Sequence, residues 1–248
     1  MYPTEKDIES YYLKLLRQSI GTFPNGVVIS NESPDFILNT DTGKIGIEIT
    51  KVYKSVDSLG KHPQVQENEC NLLVAEALSV YEKMGLPIVE VVFHFNHHTL
   101  FSKKNRSQFA NKIALIVATN IPADKSWKMV VNDLKNPNYY PYEIDSISIA
   151  RYGHTTNHWS KSGGGLVQED FIPELQNAIS KKNQKVLKFD KDCNCHWLIV
   201  VIEGMDDSTL FEPSEATLNN TYESKFDKIY LLNRFGAKGY ELKIISAA

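Results

Sequence analysis

Cysteine is scarce in this chain. Cys70, Cys193 and Cys195 are the three among 248 residues, too few and too unevenly spaced for a disulfide framework. Runs of about 18 apolar residues are missing, which leaves no candidate membrane span. The start, MYPTEKDIESYY, has no basic stretch leading into an apolar one and does not read as a secretion signal. These absences together predict a reducing compartment, the cytoplasm. They also empty the glycosylation sequons at Asn31, Asn105 and Asn219 of meaning. Neither sign of charge dominates: 27 Lys and Arg stand against 30 Asp and Glu, a net charge of −3. Such a chain is not a bulk polycation, so any contact with nucleic acid must be local. Internal repeats and low-complexity tracts are also missing. What remains, 42% hydrophobic and 23% charged residues, is a globular composition on a chain long enough to bury a full core.

The first 95 residues have a readable order. Thr4 can cap a helix whose positive first turn holds Glu5 and Asp7, with Ile8, Tyr12, Leu15 and Leu16 in one stripe and Gly21 as a stop. Val27–Ile29, Pro34–Leu38 and Lys44–Thr50 read as strands, the last two joined by the turn signal Asp41-Thr42-Gly43. In the third, Ile45, Ile47 and Ile49 share one face while Gly46, Glu48 and Thr50 share the other. A long helix follows over 64–84, its stripe of Leu73, Ala77, Val80 and Met84 continuing back to Cys70 and Gln66. Residues 87–95 are apolar on both faces, as in a sheet covered on two sides. Further on, helices are expected at 107–119 and 168–182, and strands at 144–150, 196–202, 226–232 and 240–245. Residues 152–167 read as a polar, glycine-rich loop. No linker separates the halves, so one domain over 1–248 is expected, with a core at 4–95 and an elaboration at 96–248.

Chemistry concentrates on Ser33-Pro34-Asp35-Phe36 and Glu48-Ile49-Thr50. Asp35 opens one arm of a hairpin and Glu48 lies on the other, so a tight turn can aim both carboxylates into one space. Mg²⁺ takes hard oxygens, commonly one or two carboxylates with waters and a substrate phosphate. Asp35, Glu48 and the Ile49 carbonyl can supply that set, and the ion would polarise a phosphodiester and acidify a bound water. The competing reading makes Glu48 a solvated residue on an exposed sheet face.

The string SPDFIL…GKIGIEIT resembles the Pro-Asp…(Asp/Glu)-x-Lys motif of the restriction-endonuclease-like nuclease superfamily. The order α-β-β-β-α-β over residues 4–95 is similar to the core of that superfamily, with the motif on the second and third strands. The resemblance implies an α/β fold with a mixed central sheet flanked by helices. It also implies Mg²⁺- or Mn²⁺-dependent hydrolysis of nucleic acid, DNA in the first instance, and it is compatible with a homodimer. It makes Asp35 and Glu48 metal ligands. It adds Glu9 of the first helix and Gln66 of the helix after the third strand as matching positions. One position departs from the motif: Thr50 stands where the lysine belongs. A threonine can hold a water but cannot offset the negative charge that develops on phosphorus. Another lysine must reach in, or the metal acts alone, or the fold binds nucleic acid or a partner protein without catalysis. Lys51 points to the opposite face, and Lys44, Lys54 and Lys61 are nearby in sequence. An unrelated α/β enzyme is the third reading.

Other features carry less. Lys181, Lys182, Lys185, Lys188 and Lys191 form a basic run, and Lys103, Lys104 and Arg106 a smaller one. Both suit a phosphate backbone or a solvated helix end. Cys193-Asn194-Cys195-His196 lacks zinc-ribbon spacing. His94 reads as a packed strand histidine, with His97 and His98 beyond it. Ser162-Gly163-Gly164-Gly165 lacks the Gly-Lys-Ser/Thr of a phosphate loop, and no Gly-x-Ser-x-Gly elbow is present.

Overall fold

The structure is a computed structural model. It describes residues 3–56, 62–96, 104–131, 141–186, 189 and 192–247. Lys61, His97, His98, Lys103, Lys188 and Lys191 lie outside the described residues. The chain begins with α1 (Glu5–Ser19), β1 (Val27–Ser30), β2 (Phe36–Thr40) and β3 (Gly43–Lys51). Next come α2 (Pro63–Glu82), β4 (Glu90–Phe95), α3 (Arg106–Thr119), β5 (Ser126–Val131), β6 (Ile144–Arg151) and β7 (His158–Lys161). It continues with α4 (Ile172–Val186), β8 (Cys195–Ile202), α5 (Glu215–Asn219), β9 (Thr221–Ser224), β10 (Lys228–Asn233), β11 (Lys238–Glu241) and β12 (Lys243–Ser246). These elements form two compact units, Met1–Ser55 with Gly164–Ala248, and Val56–Gly163.

The first unit is built on a six-stranded mixed sheet in the order β1-β2-β3-β8-β10-β11. β1, β2 and β3 form an antiparallel meander, and β8 runs parallel to both β3 and β10. The β2–β3 turn depends on Gly43, whose φ of 138° suits glycine alone. A Cβ there would also lie 2.2 Å from Asn194 Oδ1, the atom that accepts the Lys44 N–H.

Each face of this sheet has its own helix. Ile45, Ile47 and Ile49 pack with Tyr12, Leu13 and Leu16 of α1, and with Trp197, Ile199 and Val201 of β8. On the other face Leu198, Val200 and Ile202 pack with Leu175 and Ile179 of α4. β8, read CHWLIVVI, is therefore buried on both sides, which is why it has no polar alternation. α1 starts as its sequence predicts. The Thr4 hydroxyl accepts the Asp7 N–H at 3.2 Å, and the Asp7 carboxylate accepts the Thr4 N–H at 2.8 Å.

The second unit is a four-stranded sheet, β5-β6-β4-β7, with α2 and α3 packed together. Its core joins Leu73, Ala77 and Tyr81 of α2, Ile113 and Val117 of α3, and Val91, Phe93, Ile147 and Ile149 of the strands.

The mixed α/β architecture with helices flanking the sheet agrees with the expected class. The strand order changes the expected core. Within the first unit the elements that follow β3 in chain order are α4 and β8. The 64–84 helix and the 87–95 strand, realised as α2 and β4, build the other unit instead. Their apolar faces serve a separate hydrophobic cluster, and the strand hydrogen-bonded to β3 on its other edge is β8. Two smaller expectations also change. The 152–167 loop contains β7, parallel to β4. The 240–245 strand is two strands, because Leu242 turns inward at 4% exposure and its N–H goes to the Ile229 carbonyl. β11 then pairs with β10, and β12 with β9.

Candidate functional site

Phe36 pairs with Ile47 across the β2–β3 ladder, so Asp35, one residue earlier, stands opposite Glu48. The tight turn that sets this register brings the two carboxylates to one place, as the hairpin geometry requires. Pro34 precedes them and lies against β3. A Cβ on Gly46 would meet Pro34 Cγ and His196 Cδ2 at 2.8 Å, so the glycine makes room for the segment that seats Asp35.

Glu48 is 4% exposed. The reading of a solvated surface residue fails because α4 lies over that face of β3. The helix that covers Glu48 also supplies its counter-charge: Lys182 Nζ donates to Glu48 Oε1 at 2.5 Å. Asp35 is held differently. Its Oδ2 accepts the Ile49 N–H at 2.7 Å. Its backbone carbonyl accepts from Lys6 Nζ at 3.0 Å, and the same ammonium is 2.9 Å from Glu9 Oε2. Burial pushes the Asp35 pKa up to about 6, with the negative charges of Glu48 and Glu9 adding to it against the Ile49 hydrogen bond and the Lys182 charge.

These groups open into a cleft of about 740 Å³, lined by Glu9, Asp35, Glu48, Ile49 and Thr50, and also by Lys6, Lys51, Lys182 and Lys185. It lies at the carboxyl end of β3, where open sheets with parallel strands commonly place ligands. Lys51 points to the α1 side, as alternation requires. Its ammonium is 2.7 Å from Glu203 Oε2, and Tyr12 donates to Glu203 Oε1 at 2.6 Å. Burial works against the Glu203 carboxylate, yet the hydrogen bonds from Lys51 and Tyr12 together with the Lys51 and Arg234 charges outweigh it and hold its pKa below the usual value.

Of the residues picked out in sequence, Asp35, Glu48, Ile49, Thr50 and Glu9 therefore come together. Gln66 lies in α2, in the second unit. Lys54, one of the nearby lysines, is engaged by Asp207 at 2.8 Å. The residue that sequence reading passed over is Lys182, seen only as part of a basic run. A sharper signal was present, since Lys182 follows Ile179 by one helical turn on the stripe of Phe171, Leu175 and Ile179. A lysine continuing a buried stripe needs an anionic partner.

The donor set suits a hard divalent cation bound through two carboxylates, with waters and phosphate completing the shell. Among the described residues no group of three or more His, Cys, Asp or Glu side chains is placed to hold a metal ion, the Glu9, Asp35 and Glu48 carboxylates included, so a cation here would rest on two carboxylates and a carbonyl. Ser162–Gly165 is not an anion cradle. A Cβ on Gly165 would lie 1.9 Å from Asp207 Oδ1, which shows a carboxylate already against that turn. No protein-family model matches this chain, no curated protein matches it, and no solved structure matches it.

Proposed function

We propose that this chain is a Mg²⁺- or Mn²⁺-dependent nuclease that hydrolyses phosphodiester bonds in nucleic acid, DNA first, on a restriction-endonuclease-like core. The observation that supports this reading is the meeting of Asp35 and Glu48 on facing β-arms, with a lysine at the second carboxylate. Asp35, Glu48 and the Ile49 carbonyl would hold the cation, with Glu9 beside them. The bound ion supplies positive charge to the scissile phosphate and acidifies a water. The chain's own groups do the rest. Thr50 offers a hydroxyl on the Glu48 face to orient that water. Lys182 provides the positive charge that the motif position lacks, from a helix rather than from the strand. Lys6 and Lys185 line the same cleft and add charge for the flanking phosphates.

No helix among the described residues is long and apolar enough to cross a membrane, and we place the protein in the cytoplasm with its nucleic-acid substrate. One observation favours a second reading. The Lys182–Glu48 ion pair would equally neutralise the site of a protein that binds nucleic acid, or a partner protein, without cutting anything. Plasmid cleavage with Mg²⁺ or Mn²⁺ separates the two. Metal-dependent nicking by the wild type, lost in Asp35→Ala and Glu48→Ala, is the expected result. DNA binding without cleavage, unaffected by either change, would establish the binding protein instead.

A further inference from the structure

The two lysines nearest the carboxylates are held in unlike ways. Lys6 is anchored twice, by the Asp35 backbone carbonyl at 3.0 Å and by Glu9 at 2.9 Å. Lys182 has its short contact with Glu48 Oε1, inside a pair whose side chains are 17% and 5% exposed. A carboxylate so little exposed is strongly disfavoured when ionised and unpaired. Some cation must therefore stand at Glu48 whenever it is charged. An ammonium and a divalent ion on the same carboxylate repel each other across a few ångströms of low-dielectric medium, so the two compete. Lysine is suited to yield its place. Its charge sits on a flexible four-carbon stem, and Lys182 already borders the cleft into which it would swing.

Resting on the metal-dependent reading above, we propose that Lys182 is a displaceable counter-ion: its ammonium neutralises Glu48 until that carboxylate is given over to a divalent cation, and then turns to the substrate phosphate. The lysine thus weakens cation binding while supporting cleavage, two effects that a purely structural ion pair would not separate.

The test is Mn²⁺ affinity by calorimetry on the full chain without nucleic acid, together with the single-turnover cleavage rate at saturating Mn²⁺. Lys182→Met is expected to bind Mn²⁺ roughly tenfold more tightly, within the usual span of coupling between sites, and to cleave more slowly. Lys182→Arg, able to grip Glu48 with two N–H groups, is expected to bind Mn²⁺ more weakly than the wild type. Lys181→Met, an exposed neighbour on α4, controls for the loss of one charge. Should Lys182→Met not fold, Lys182→Gln removes the charge and keeps a donor, and serves in its place. A wild type that binds Mn²⁺ and cleaves, beside an uncharged variant that binds Mn²⁺ equally or more weakly, overturns the counter-ion proposal and leaves the nuclease standing. A wild type that neither binds Mn²⁺ nor cleaves overturns both.

Discussion

Asp35→Asn should make the protein more stable at neutral pH while abolishing cleavage. The amide keeps an oxygen to accept the Ile49 N–H and loses the charge that burial, Glu48 and Glu9 all oppose. Folding raises the Asp35 pKa from 3.8 to about 6. At 1.36 kcal/mol per unit that amounts to a penalty of about 3 kcal/mol on the ionised, folded form. The carboxylate is not fully enclosed, with 16% of its side chain exposed, and solvent screening reduces the expected gain to about 1–2 kcal/mol. The sign follows from the direction of the shift. The folded state holds the proton more tightly, so the penalty is absent below about pH 4, grows between pH 4 and 6, and is complete above. The variant should therefore melt about 3–6 °C higher at pH 7.5 and with the wild type at pH 4. Thermal denaturation followed by circular dichroism, without divalent cations, measures both. A variant no more stable than the wild type at pH 7.5 would show that Asp35 is not a strained carboxylate, and the electrostatic case for a cation site there would fall.

Other outcomes follow from the same contacts. Lys182→Ala should cost about 3–5 kcal/mol by leaving Glu48 buried and unpaired. Adding Glu48→Gln should restore most of that loss, and urea denaturation of the four members of the cycle gives the coupling. Gly46→Ala should cost about 1–3 kcal/mol, because a methyl group there presses on Pro34 and His196. Cleavage should fall with it as Asp35 moves, whereas stability loss without loss of cleavage would disconnect Gly46 from the site. Leu198→Ala, at a fully buried position opposite Glu48 in the β3–β8 register, should cost about 2–5 kcal/mol in the same assay.

The local pattern of the chain was sufficient for α1 with its Thr4 cap, for the β2–β3 hairpin, and for placing Asp35 opposite Glu48. All of these depend on interactions among residues close in sequence, and a two-residue period and a glycine turn leave little freedom of register. Glu9 was legible only through resemblance, and the structure brings it to the cleft by way of Lys6. Gln66 was read from a stripe on α2 whose Leu73 and Ala77 serve the core of the second unit. An apolar face states that it must be buried, not against what.

Which strand lies beside β3, and which lysine reaches Glu48, were decided by the tertiary structure alone. β4 and β8 are both apolar, and the choice between them rests on how whole faces match across more than a hundred residues. Lys182 became the partner of Glu48 because α4 covers that face of the sheet, a long-range packing outcome with no local signature except a charged side chain placed on a buried stripe.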